Sequence, residues 1–233
     1  MTEQEWLECT DPQPMLEAIR ERITDRQAWL FGAACHRRTL PILHLTLSPS
    51  MSEEWVPRLQ RSVRLMEQFV DGKATEEEQR ELSPPNELCS AWVRAETGSY
   101  NPAHTVADAA ANSKRFYNRT RERRIAARKA FVEAAYARER GAQSQLIRCI
   151  AGNGLPLPRL DTAWLTAEVV ALAESAYEEQ LLPVGELDPA RLAILSDALE
   201  DAGCTDPALL DHLRDPGPHV RGCWALDLIL RKS

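Results

Sequence analysis

Two thiols and two imidazoles stand in the last stretch of the chain: Cys204, His212, His219 and Cys223, at separations of eight, seven and four. Deprotonated cysteine and neutral histidine are the donors of tetrahedral zinc, and four of them close the ion's coordination sphere. Gly203 and the Pro216-Gly217-Pro218 corner supply bends that would let unevenly spaced donors converge. These separations are not those of a zinc finger, and no CxxC pair occurs anywhere. Ahead of a metal, the expected reading of these residues is that buried cysteines pack as small hydrophobes and the histidines hydrogen-bond the backbone, with no cofactor and zinc as the alternative. Arg221 lies among them. Its planar fork suits a carboxylate or a phosphate, and a Gly-Pro corner before a helix exposes backbone amides to an anion. With Asp211, Asp215 and Asp227 so near in sequence, an internal ion pair is expected ahead of an external anion.

A second chemistry-bearing stretch is "SKRFYNRTRERRIAARK", with Lys114, Arg115, Arg119, Arg123, Arg124 and Arg128 as candidate contacts. Cations there could meet phosphates while Phe116 and Tyr117 stack on bases. The charge would wrap most of a helix rather than stripe one edge, which suits first a solvated or intramolecularly paired surface, then a protein partner, and only then nucleic acid. Net charge is −7, but it is segregated. Residues 1–100 hold 11 basic and 17 acidic groups, residues 101–160 hold 12 and 4, and residues 161–233 hold 5 and 14. The middle block therefore faces either acidic flanks or an acidic partner.

Catalytic patterns are weak. "GNG" at 152–154 lacks the glycine spacing and the Lys-Ser/Thr of a phosphate loop, and neither GxSxG nor HExxH is present. Glu76, Glu77 and Glu78 read as first-turn dipole stabilisers. Cys35 and His36 are adjacent, so on a helix their side chains diverge and cannot act as nucleophile and base.

The elements that must position these groups are helical. Asp11-Pro12, Thr24 or Asp25, Thr75 with Glu78, Thr166, Asp188-Pro189 and Asp206-Pro207 are helix starts, and Gly72 and Gly203 are stops. The second helix is expected to end near Pro41, "LHLTLSPSMS" to be loop, and the next helix to run from Glu53 to about Asp71. A short helix is expected over 87–95 and a long helical run over 103–140, about 57 Å if unbroken. After Gly217-Pro218 the chain should enter a last helix bearing Val220, Trp224 and Leu228. The expected class is all-α: an irregular bundle over residues 1–150 carrying the basic helix, and a subdomain of short helices with tight Pro/Gly corners over 151–233, packed as one unit. The six tryptophans serve as packing anchors.

The stretches "MTEQEWLECTDPQPMLEAI", "LFGAACHRR", "DTAWLTAEVVALAESAYEE" and "LAILSDALEDAGCTDPALLDHLRDPGPHVRGCWALDLILRKS" resemble a protein family of planctomycete bacteria, over roughly residues 1–40 and 145–233. The resemblance implies a bacterial protein but no particular reaction. Members of that family often carry adjacent cysteines where this chain has Cys35-His36, a departure that tells against thiol chemistry there. Short apolar runs and an N-terminus without a signal pattern point to a cytoplasmic protein away from the membrane. The function expected from these features is a non-catalytic protein-interaction or adaptor role with an unidentified protein partner. One alternative is nucleic-acid binding through 114–129, and another is a zinc-stabilised regulator or enzyme built on the C-terminal Cys/His residues.

Overall fold

Oxygen-bearing residues placed just before proline start several of the helices. The computed structural model describes residues 1–46, 49–81, 121–152 and 158–232, and among these the protein is all-α apart from one two-stranded hairpin. Helices α1 (Glu3–Glu8), α2 (Pro12–Ile19), α3 (Asp25–Thr46), α4 (Pro49–Val70), α5 (Glu76–Glu81) and α6 (Arg121–Ala151) make up the first part. A 3-10 turn (Thr162–Trp164), α7 (Ala167–Glu178), β1 (Gln180–Leu181), β2 (Glu186–Leu187), α8 (Pro189–Asp201), α9 (Pro207–Arg214) and α10 (Trp224–Leu230) follow. Thr166, Asp188 and Asp206 accept from the amides of Val169, Ala190 and Leu209 at 3.2, 2.9 and 3.0 Å. Each such cap stabilises its helix by about 1 kcal/mol. Thr75 and Glu78 form the expected reciprocal box ahead of α5.

Three expectations about the elements are corrected. Helix α3 does not stop at Pro41 but runs on to Thr46, and α4 begins at Pro49 rather than Glu53, so most of the supposed loop over 43–52 is helical. An internal proline costs about 3 kcal/mol, and α3 continues through it while packed on α4 and α6. Helix α6 likewise passes through Gly141 to Ala151, because Leu146, Ile147 and Ile150 bury one face of its last turns. Val220 is not on the last helix. It bridges to Glu186 beside the hairpin, and α10 starts only at Trp224. The expected helix over 87–95 and residues 103–120 of the long run lie outside the described residues.

The main core draws on residues from both sides of 150–151. Trp6, Met15, Leu16 and Ile19 from the first two helices share it with Ile147 and Ile150 of α6 and with Tyr177, Leu195, Leu213, Trp224 and Ile229. A smaller cluster of Ala33, Val63 and Met66 seals α3 against α4. No helix among the described residues is long and apolar enough to cross a membrane.

Candidate metal centre

Four donor atoms converge where the end of α6 meets the corner between α9 and α10. Cys149, His212, His219 and Cys223 each offer one ligand atom, and all four atoms lie within 4.8 Å of one another. Three of them are among the donors expected from the sequence. The fourth is Cys149 of α6 in place of Cys204, which is buried at the turn after α8 and is not one of the converging donors.

Each donor is fixed by its own local chemistry. Cys149 sits in the last turns of α6, which is tied to the N-terminal segment on both sides of it. The Arg148 guanidinium donates to the carbonyls of Trp6 and Cys9 at 2.7 and 2.5 Å, and the Trp6 indole donates to the Gly152 carbonyl at 3.1 Å. His212 occupies the last turn of α9, whose Leu209, Leu210 and Leu213 are buried in the core. Its ring lies against Trp224, with centroids 5.0 Å apart, and edge-on to His219 at 4.8 Å.

His219 follows Gly217-Pro218, and its ring Nε2 lies 2.8 Å from the Asp215 carbonyl. A carbonyl only accepts, so Nε2 carries the proton and Nδ1 is the atom turned toward Cys149, 4.0 Å from its sulfur. A backbone carbonyl that fixes the histidine tautomer in this way is the usual outer support of a metal-binding imidazole. Gly217 makes the corner possible. Its φ is +94°, and a Cβ there would stand 2.7 Å from the His219 amide nitrogen. Cys223 closes the set from the residue before α10. It is fully buried, makes no side-chain cap to the helix, and has its sulfur 3.2 Å from His212 Nε2.

Zinc–sulfur bonds of about 2.3 Å and zinc–nitrogen bonds of about 2.0 Å give a tetrahedron with edges of roughly 3.3–3.8 Å. The 3.2 and 4.0 Å separations bracket that range. The electrostatics suit a cation. Burial pushes the Cys223 thiol up, but a hydrogen bond from Cys149, the attraction of His212 and hydrogen bonds with both histidines carry it well below the ordinary value. Cys149 moves the other way, raised by burial and by the neighbouring Cys223. Burial lowers the His219 pKa, and its contacts with Cys223 and the Asp215 carbonyl more than offset this. A divalent ion bound by these donors would displace the protons they carry.

The other candidates fall elsewhere. Cys35 and His36 are both buried on α3, where burial raises the thiol and lowers the imidazole to about 4. Arg221 points inward as an internal ion pair, yet its partners are not the neighbouring aspartates. It reaches Asp71 just after α4 at 3.2 Å and Glu178 at 3.1 Å, and lies over the Tyr177 ring, 4.9 Å from its centroid. Sequence reasoning missed Asp71, whose fully buried side chain also accepts from Arg26 at 2.9 Å and the Tyr177 hydroxyl at 3.0 Å. Lys114, Arg115 and Arg119 lie outside the described residues. Arg123, Arg124 and Arg128 belong to α6, but their side chains lie outside the described ones.

Compared with known protein families, with curated proteins and with solved structures, the chain matches none.

Proposed function

We propose that this chain is a non-catalytic interaction protein whose C-terminal helices are fastened to α6 by a structural zinc ion. The observation that carries the reading is the mutual approach of Cys149, His212, His219 and Cys223. Four protein donors leave no open position for a substrate or an activated water, which is the pattern of a structural rather than a catalytic site. An ion there would join α6 to both sides of the α9–α10 corner and hold the basic middle block in fixed relation to the acidic C-terminal block. Charge blocks of opposite sign held rigidly give a surface that a charged partner recognises by electrostatic complementarity.

The test begins with protein purified under reducing conditions and elemental analysis, expecting one zinc per chain. Capture from the host follows, with and without nuclease. A stoichiometric protein that survives nuclease and is lost after chelation supports the proposal. Absence of metal together with no stabilisation by added zinc overturns the zinc part. Loss of every partner on nuclease treatment overturns the adaptor part in favour of nucleic-acid binding through 114–129.

A further inference from the structure

A separate cavity of about 740 Å³ opens between the start of α3 and the end of α10. That volume is in the range of small-molecule sites. Trp224, Leu228 and Leu160 give it an apolar lining, and four cations stand around it: Arg22, Arg26, Arg231 and Lys232. Two of these are already matched. Arg26 binds Asp227 at 2.5 Å and Asp71 at 2.9 Å, and Lys232 lies 3.5 Å from Asp71. Among the described residues Asp227 is the single carboxylate residue in the lining, and the Arg26 fork engages both of its oxygens. Arg22 and Arg231 are exposed and make no ion pair or hydrogen bond through their side chains among the described residues.

Arg231 carries a second, independent signal. It caps α10 in the left-handed conformation, φ +53° and ψ +40°, where glycine or asparagine is the usual residue. A non-glycine residue held there costs about 1 kcal/mol or more. The cap, closed by the Lys232 amide donating to the Asp227 carbonyl at 2.9 Å, holds Arg231 beside the cavity. The local charge also runs against its surroundings: residues 161–233 hold only five basic groups, and two of the five, Arg231 and Lys232, line this cavity.

We propose that this cavity binds a small organic anion, with a carboxylate met by Arg22 and Arg231 and an aromatic or aliphatic body against Trp224, Leu228 and Leu160. The buried Arg26–Asp227–Asp71 network forms the fixed floor and is not spent on the ligand. The assignment does not rest on the metal centre.

The test uses the full chain and 1-naphthoate, followed by backbone amide NMR and by fluorescence, with uncharged 1-naphthamide as control. Amide shifts should concentrate at residues 24–27, 160–162 and 224–232. Two partly exposed charge contacts should make the naphthoate bind about tenfold tighter than the amide. The double variant R22Q/R231Q changes only exposed side chains and should erase that difference while leaving zinc content unchanged. Equal affinities for acid and amide, an unchanged difference in the double variant, or shifts that map elsewhere would overturn the proposal. Displacement of naphthoate by an equal concentration of inorganic phosphate would overturn the organic part, since the apolar body would then contribute nothing.

Discussion

Replacing Cys149 and Cys204 by serine, one at a time, separates the donor set assembled in space from the one that lies close in sequence. Both cysteines are buried, at 2 % and 3 % exposure, so both variants carry a similar penalty for burying a hydroxyl, about 1–3 kcal/mol. Only Cys149 is one of the four converging donors. Structural zinc binds small domains with about 10–16 kcal/mol. Shared over four ligands this is roughly 3 kcal/mol each, so Cys149→Ser should weaken zinc binding by about two orders of magnitude. Free zinc at a thousand times Kd stabilises the fold by about 4 kcal/mol. For a chain of this size that corresponds to roughly 8–16 °C in Tm. The assay is thermal unfolding in reducing buffer with added zinc and then with chelator. Wild type and Cys204→Ser should both lose that stabilisation on chelation, and Cys149→Ser, with zinc at about ten times its weakened Kd, should lose about 1.4 kcal/mol, roughly a third as much. If the two serine variants respond alike to chelator, or if wild type does not respond, the four donors do not act together on a metal and the reasoning fails.

Gly217→Ala puts a Cβ 2.7 Å from the His219 amide nitrogen at a φ of +94°; it should cost about 2 kcal/mol or more in urea unfolding and weaken zinc binding, whereas Gly72→Ala, with open space around it, should cost about 1 kcal/mol and leave zinc binding intact. Asp71→Asn removes a buried carboxylate that faces Arg26, Arg221 and Lys232, and should destabilise by about 3–5 kcal/mol. Arg214→Gln, which loses only the exposed, solvent-screened pairs with Asp197 and Glu200, should unfold at the same urea midpoint as wild type. Burial, working against the pull of Arg26, lifts the Asp227 carboxyl to about 6 from an ordinary 3.8. The folded state therefore binds the extra proton between those values, and the stability of wild type relative to Asp227→Asn should fall as pH rises from about 4 to 6 and then level off. Urea titrations in chelator at several pH values check this, and a difference curve that is flat or rises over that window would refute it.

Helix starts were legible because a cap is a contact between residues two or three apart. Thr75 with Glu78, Thr166, Asp188 and Asp206 could thus be named as starts from neighbouring residues alone. The course of α3 through Pro41 was not, since proline's local cost is known from the sequence while the packing of α3 on α4 and α6 is tertiary. His212, His219 and Cys223 were found as candidate donors because glycine and proline bends bring near neighbours together. The stretch after Gly217-Pro218 was expected to enter the last helix at once and is instead a bridge and a turn, with the Leu187 amide donating to the His219 carbonyl at 2.8 Å.

What the sequence determined by itself is the helical class, the caps and corners and the segregation of charge, and it named three of the four converging candidate donors, all of which depend on residue type and short spacing. The fourth donor and the partners of Arg221 were decided by tertiary structure. Cys149 and Asp71 are far along the chain from the groups they meet, and only the packing of α6 and of the α4 end against the C-terminal helices brings them within bonding distance.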